Sequence, residues 1–309
     1  MSRLQANLLL LVVALIWGSA FVAQADGMRG VGPLSFTGIR FLIGAALVCP
    51  LAWREAKKLR ECALWSGPAD ALAVTGLGLL LMLGATLQQI GITGTTVTNA
   101  GFLTALYVPL VPLLAWLLLG TRPQHVLWPA SFGCLLGTWL LSGADGFRPG
   151  AGDAWVIASS VFWALHVLFV GRVAGRMAAP FLLAFGQFLV CGLSSLIWAW
   201  LGGEAISVDG VRHAWPPILY CGAISVAVGF TAQVIGQRFA QPSDAAIILS
   251  AETVFAAIFG SLLMDDRLTA AGLAGCALIL ASIVAVQLAP LSPVRRSARK
   301  GRVSTPLGQ

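Results

Sequence analysis

Ten stretches of this chain are apolar over about the length a helix needs to cross a bilayer: 6–25, 34–52, 71–91, 100–120, 126–142, 153–171, 180–201, 215–235, 244–264 and 270–289. A bilayer's hydrocarbon core is about 30 Å thick and takes roughly 20 apolar residues of helix to span. Inside lipid every backbone N–H and C=O must find a partner within the chain, which leaves only helices and closed barrels. A barrel strand carries about 10 residues of strict alternation, and none of these stretches alternates. The chain is therefore read as an all-α polytopic membrane protein with ten transmembrane helices. Composition decides against the other classes. With 58% hydrophobic and 10% charged residues, against roughly 25% charged in a soluble domain, the chain cannot clothe a soluble surface. It is also too apolar to stay disordered.

The connectors are short, and the longest interior polar stretch runs from Trp53 to Pro68. No soluble domain fits between the helices. Arg3 before the first apolar run and Ala23-Gln24-Ala25 near its end resemble a cleavable signal. That run exceeds the roughly 7–15 residues of a signal core, so retention of the first helix is expected.

The net charge of +7 is mostly a tail effect of Arg295, Arg296, Arg299, Lys300 and Arg302; without them 14 basic residues face 12 acidic ones. No nucleic-acid groove is implied. If the N-terminus is cytoplasmic, 14 of the 19 basic residues fall in inner segments and four, Arg29, Arg148, Arg212 and Arg267, in outer loops. The positive-inside rule then places both termini in the cytoplasm, and the expected location is the plasma membrane, the inner membrane of a bacterium. The tail either contacts anionic lipid or anchors the topology. Six cysteines without a CxxC pair suggest neither a disulfide framework nor a metal site.

The chain also matches itself at an offset of 145. Residues 84–122 align with 229–267 without a gap: Gly84, Thr86, Gln88, Ile90 and Gly91 meet Gly229, Thr231, Gln233, Ile235 and Gly236. Small slips extend the match, pairing Trp17 with Trp163 at 146, and Pro33 and Phe41 with Pro180 and Phe188 at 147. One period covers five helices. Five is odd, so the second copy enters from the opposite side, which makes an inverted repeat with a pseudo-two-fold axis in the membrane plane. Secondary transporters use such repeats and bind substrate near the midplane at the repeat interface. The expected organisation is a first five-helix repeat over 1–145, an inverted second over 146–289 and a basic cytoplasmic tail over 290–309.

These residues resemble the EamA-type transporters of the drug/metabolite transporter superfamily. The marks are Ile16-Trp17-Gly18-Ser19-Ala20-Phe21, Arg40-Phe41, Asn99-Ala100-Gly101-Phe102 through Pro109, and Ala251-Glu252, in order along the chain to about residue 289. The resemblance implies export or exchange of small metabolites, amino acids or drugs without a bound cofactor. It also implies a cavity lined mainly by helices 1, 3, 4, 6, 8 and 9. Two departures stand out. The family often has Glu-Pro where this chain has Glu252-Thr253, which puts a proline-linked bend there in doubt. The acid that often closes helices 4 and 9 is Thr121 in the first half and Asp266 in the second.

Charge inside the bilayer is scarce, so ionisable residues there are functional candidates. Glu252 lies about eight residues into the ninth helix, roughly 12 Å along its axis, and burial disfavours its charged form, which opens proton exchange to it. A Glu bonded between helices is the alternative. Arg40 either snorkels to the outer interface or packs, or it holds an anion, a substrate carboxylate or Glu252. Tyr107 is the repeat mate of Glu252. Trp17 and Trp163 form a second matched pair, able to stack on a substrate or to pack, and His166 shares a face with Trp163. Gln88 with Gly84 and Gly91, and Gln233 with Gly229 and Gly236, occupy single helix faces at i, i+4, i+7. They are expected to form either two gates or static packing faces. Asn99 and Ser243-Asp244 are read as N-caps. Gly133 and Gly137, with Ala271 and Gly275, make small-residue faces for packing or for a homodimer.

The leading expectation is a secondary transporter, an exporter of small metabolites, amino acids or amphipathic compounds by alternating access, with proton exchange open. A gradient-independent uniporter or channel is the next reading. A membrane-embedded enzyme or a non-transporting assembly protein ranks lower, because no HExxH, GxSxG or Walker loop is present. No cofactor, metal, catalytic residue or nucleic-acid partner is expected; the partners are a small-molecule substrate and the lipid bilayer, with protons and a homodimer left open.

Overall fold

The structure is a computed structural model and describes residues 1–28, 30–61, 67–95, 97–141, 150–204, 207–263 and 269–289. Among these every regular element is helical. In chain order they are α1 (Arg3–Gly27), α2 (Pro33–Glu61), α3 (Pro68–Thr93), α4 in two pieces (Val97–Thr104 and Tyr107–Leu119) and α5 (Leu127–Leu141). The second set is α6 (Asp153–Met177), α7 (Pro180–Leu201), α8 (Val208–Gln237), α9 in two pieces (Pro242–Leu249 and Ala251–Leu263) and α10 (Ala270–Leu288). All but α5 contain a segment long and apolar enough to cross a membrane, and α5 is a shorter apolar helix that completes the ten. The basic tail, Cys62 and Asp266 lie outside the described residues.

Helix starts follow from local chemistry. Ser2 caps α1 in a reciprocal capping box with Gln5, which satisfies donors at the open end. Proline opens α2, α3, α7 and α9, at positions where its missing N–H costs nothing. Ser243 and Asp244, expected as caps, instead lie inside the first turn of α9, whose N-cap is Gln241. Asn99 is likewise inside its helix, which begins at Val97.

Both α4 and α9 break, and at matched places. The α4 ladder stops at Ala105-Leu106 and the α9 ladder at Ser250. Pro109 accounts for the first break, since it has no N–H for the Ala105 carbonyl and its ring would clash with it. The second break needs no proline. Ser250 Oγ donates to Ile247 O at 2.6 Å, and Thr253 donates twice to Ser250 O, from N at 3.2 Å and from Oγ1 at 2.8 Å. Hydroxyls that compete for backbone acceptors bend helices. The bend placed in doubt by Glu252-Thr253 is therefore present, with Thr253 doing what proline does elsewhere. A second irregularity has no mate: after Pro216-Pro217 the segment Cys221–Phe230 of α8 winds as a π-helix.

The packing carries the inverted repeat. α2 lies against α7 and α5 against α10, each helix on its own mate. α3 packs on α6 as α8 packs on α1, and the second piece of α9 meets α1 as that of α4 meets α6. One apolar cluster joins α1, α4, α5, α6, α9 and α10, and another joins α2, α3, α7 and α8. Trp17 and Trp163 touch both. The start of α1 also meets the end of α10 through Asn7 and Gln287, as an even number of crossings requires.

The small-residue faces are used inside the chain. A Cβ at Gly137 would stand 2.6 Å from Gly275 O, and one at Gly133 would collide with the Ser282 hydroxyl. This α5–α10 seam occupies the face that the sequence left open to a dimer. Five cysteines, Cys49, Cys134, Cys191, Cys221 and Cys276, are free. No group of metal-ligating residues occurs among the described residues.

A further reciprocal device ties α2 to α7. Glu204, just past α7, accepts from Leu34 N (3.1 Å), Ser35 N (2.9 Å) and Ser35 Oγ (2.8 Å) at the start of α2. Glu55, near the end of α2, accepts from Leu182 N (2.9 Å) at the start of α7. Each helix therefore caps the other's N-terminus with a carboxylate, where the helix dipole favours negative charge.

Candidate functional site

A cavity with about 50 Å³ of room for the centres of water-sized molecules lies between the two clusters. It is lined from α1 by Trp17, Phe21 and Gln24, from α2 by Arg40, and from α3 by Gln88. Thr104 and Tyr107 of α4 and Trp163 and Val167 of α6 continue the wall, and Ser225, Phe230 and Gln233 of α8 with Leu249 and Glu252 of α9 close it. The lining helices are those the resemblance implies, with α2 added through Arg40.

Glu252 and Tyr107 stand at the first turns beyond the two helix breaks, and each repeat thus delivers one polar group to the cavity at the same place. Glu252 is 6% exposed, and it has no hydrogen-bond or ion-pair partner among the described residues. The Tyr107 hydroxyl is buried and also lacks a partner. Buried carboxylates and hydroxyls are costly without partners, so both are poised to bond to whatever enters.

Arg40 does not snorkel. It is 4% exposed, its guanidinium lies 5.3 Å from the ring centroids of both Phe36 and Phe41, and Nη1 donates to Gln24 Oε1. Its Nε is buried without a partner. No ion pair joins it to Glu252 among the described residues, although both line the same cavity. One fixed positive group and one carboxylate thus face a common space, a pattern suited to a molecule carrying both signs of charge.

The two tryptophans flank Phe230. Trp17 Nε1 donates to Ser225 O at 3.3 Å, whereas Trp163 Nε1 has no partner. The glycine faces carry these walls. A Cβ at Gly84 would meet Trp163 at 3.1 Å, and one at Gly229 would meet Trp17 at 2.8 Å. About two turns further, Gly91 faces Val156 and Gly236 faces Leu10. All four glycines thus let α3 approach α6 and α8 approach α1.

Gln88 and Gln233 both line the cavity, but their surroundings differ. Gln88 Nε2 donates to Thr104 Oγ1 at 2.8 Å. The mate of Thr104 is Leu249, and Gln233 Oε1 has no partner. His166 does not line the cavity. It is fully buried behind the wall, with Nε2 2.9 Å from Gln187 Oε1 and its ring edge-on to Trp163.

Sequence reasoning missed Gln24, Gln187, Thr104 and Phe230. Gln187 was reachable, because the offset of 147 that pairs Phe41 with Phe188 also pairs Arg40 with Gln187. Each member of that pair holds a polar residue of the preceding helix, Gln24 or His166.

Comparison with known proteins agrees with this architecture. An uncharacterized transporter of Archaeoglobus fulgidus is 28% identical over 292 residues, covering 93% of this chain and 87% of that protein. The uncharacterized transporter YwfM of Bacillus subtilis is 24% identical over 295 residues, covering 92% and 94%. A solved crystal structure superposes with a TM-score of 0.76 at 21% identity, over 93% of this chain and 98% of its own, which speaks to the fold. The EamA-like transporter family matches residues 4–143 and again 150–288. With both five-helix halves matched, the chain belongs to the EamA-like transporter family.

Proposed function

We propose that this transporter exports small metabolites, amino acids or other amphipathic compounds by alternating access, and that Glu252 exchanges a proton during the cycle. The observation that carries the reading is the unpaired Glu252 carboxylate, buried in a cavity that also holds Arg40. A substrate ammonium or a proton can neutralise Glu252, and a substrate carboxylate can bond to the free Nε of Arg40. The titratable and charged groups around Glu252 in the cavity are Tyr107 and Arg40. Tyr107 supplies a hydroxyl from the other half, and the Trp17 and Trp163 rings accept apolar or flat groups. Export is the direction that the family resemblance implies. The distribution of basic residues supports placing both termini in the cytoplasm, and the membrane proposed is the plasma membrane. Gln88 and Gln233 are the gate residues of the two ends in this reading.

The test is flux into proteoliposomes across a panel of amino acids and small amphipathic metabolites, with and without a pH gradient. Flux of at least one class is expected, accelerated by the gradient. Glu252→Gln should remove the acceleration and leave exchange at equal pH. Flux indifferent to both the gradient and the substitution would point to gradient-independent uniport and end the proton role. No flux of any panel member would end the substrate assignment.

A further inference from the structure

Phe230 is where the symmetry of the cavity fails. Its ring centroid lies 4.6 Å from that of Trp17 and 6.0 Å from that of Trp163, to which it is nearly parallel at 15°. It also lies 5.6 Å from Phe41 and 6.2 Å from Phe188. Trp17 and Trp163 are repeat mates, and so are Phe41 and Phe188. A side chain that touches both members of two mated pairs sits close to the pseudo-two-fold axis. Any side chain there competes with its own mate for space. The mate of Phe230 is Ala85, fully buried in the same apolar cluster. The second half therefore fills the axial space with a ring, and the first half contributes only a methyl.

The backbone supports this difference. Phe230 is the last residue of the π-helical segment Cys221–Phe230, whereas the matching residues 76–85 lie in the uninterrupted α-helix of α3. A π-turn spaces its hydrogen bonds one residue wider than an α-turn and is frequent at functional sites. It turns the following side chain to a direction that a plain α copy would not give. No hydrogen bond pins the ring, because phenylalanine has none to offer. Packing holds it, against the neighbouring rings and the apolar side chains of its cluster.

We propose that Phe230 sets the size of the substrate that the cavity admits. Its ring occupies the space beside Trp17 and Trp163 that a larger apolar or aromatic substrate group would take. The proposal rests on the transport reading and adds to it the residue that selects among substrates.

The experiment compares the full-length wild type, Phe230→Ala, Phe230→Leu and the double variant Phe230→Ala/Ala85→Phe. Counterflow in proteoliposomes is measured with alanine, valine, leucine, phenylalanine and tryptophan. A single methylene in an apolar pocket is worth roughly 10–200-fold in discrimination. The tryptophan-to-valine flux ratio should therefore rise by about tenfold or more in Phe230→Ala and less in Phe230→Leu. It should fall back towards wild type in the double variant, where the ring returns from the other half. An unchanged ratio in both single variants overturns the proposal, and a double variant that behaves like Phe230→Ala overturns the shared-space argument. If the wild type carries none of the five, the transport reading fails for this class, and a second measurement still reads Phe230. Indole should raise the Tm of purified Phe230→Ala and not that of the wild type or the double variant. Equal shifts in all three would show that truncation opens no space.

Discussion

At the end of the bundle that holds the start of α1 and the end of α10, Arg3 Nη2 pairs with Asp244 Oδ2 at 3.0 Å. The pair ties the first half to the second, and Asn7 bonds to Gln287 about one turn deeper. Arg3→Gln is predicted to loosen this end. The Asp244 side chain is 4% exposed and that of Arg3 28%. Breaking a buried pair costs about 3–5 kcal/mol, whereas an exposed pair is worth about 0.2–1 kcal/mol. A pair dry on one side and partly wet on the other falls between, at about 1–3 kcal/mol. If the pair exists only while this end is closed, the same amount shifts the conformational equilibrium, by about 5–150-fold. The reporter is Gln233→Cys, four residues before the end of α8 and thus about 6 Å from it along the axis. In a background without native cysteines, an impermeant thiol reagent applied from this end should label it at least about fivefold faster in Arg3→Gln. Arg3→Lys, which keeps the charge, should return most of the wild-type protection. Equal labelling rates in wild type and in a folded Arg3→Gln would refute the idea that this pair holds the end shut.

The glycine faces make a graded prediction. Gly229→Ala presses a Cβ to 2.8 Å from Trp17 Nε1, which already donates to Ser225 O, so overpacking should lower stability by about 1–3 kcal/mol. Gly84→Ala meets the Trp163 ring at 3.1 Å, and a helix-propensity gain of about 1 kcal/mol offsets most of the strain. Thermal unfolding in detergent should rank Gly229→Ala well below Gly84→Ala, and the reverse order would refute the assignment. The crossed caps should separate by hydrogen exchange: Glu204→Ala removes a cap worth about 0.5–2 kcal/mol and should speed exchange at Leu34 and Ser35 alone. Glu55→Ala should do so at Leu182, and protection unchanged in both would leave the carboxylates without a capping role.

The helix count, the parity of the repeat and most of the cavity wall were legible because each is written in residue type at a fixed spacing. Apolar length gives the helices, and the offset of 145 gives the fold's symmetry. Scarcity of charge isolates Arg40 and Glu252. What stayed hidden depends on direction rather than identity. Arg40 carries the same charge whether it turns outward to the interface or inward to Gln24, and only packing of Phe36 and Phe41 decides. In the sequence Gln24 reads only as the middle of Ala23-Gln24-Ala25, and it takes the fold to bring its side chain to Arg40. The bend at Ser250 is carried by two hydroxyls and lacks the proline that would announce it. Phe230 sits among many phenylalanines, and nothing but the π-helical turn before it and the Ala85 opposite marks it out.

The matched breaks in α4 and α9 have a consequence for energetics. In the proposed cycle, two identical halves in opposite orientation would relate the two end states by a two-fold rotation, with equal free energy and equal residence. The π-helical segment Cys221–Phe230 has no mate in α3, whereas the helix breaks keep that equality, since they fall at the same place in each half. The side chains remove it: Glu252 answers Tyr107, Phe230 answers Ala85, and Leu249 answers Thr104. In the proposed cycle the resting bias is therefore written in these side chains and in that one π-helical segment. Under alternating access as proposed, a handful of substitutions at these positions tilts which face waits open, without moving either helix break.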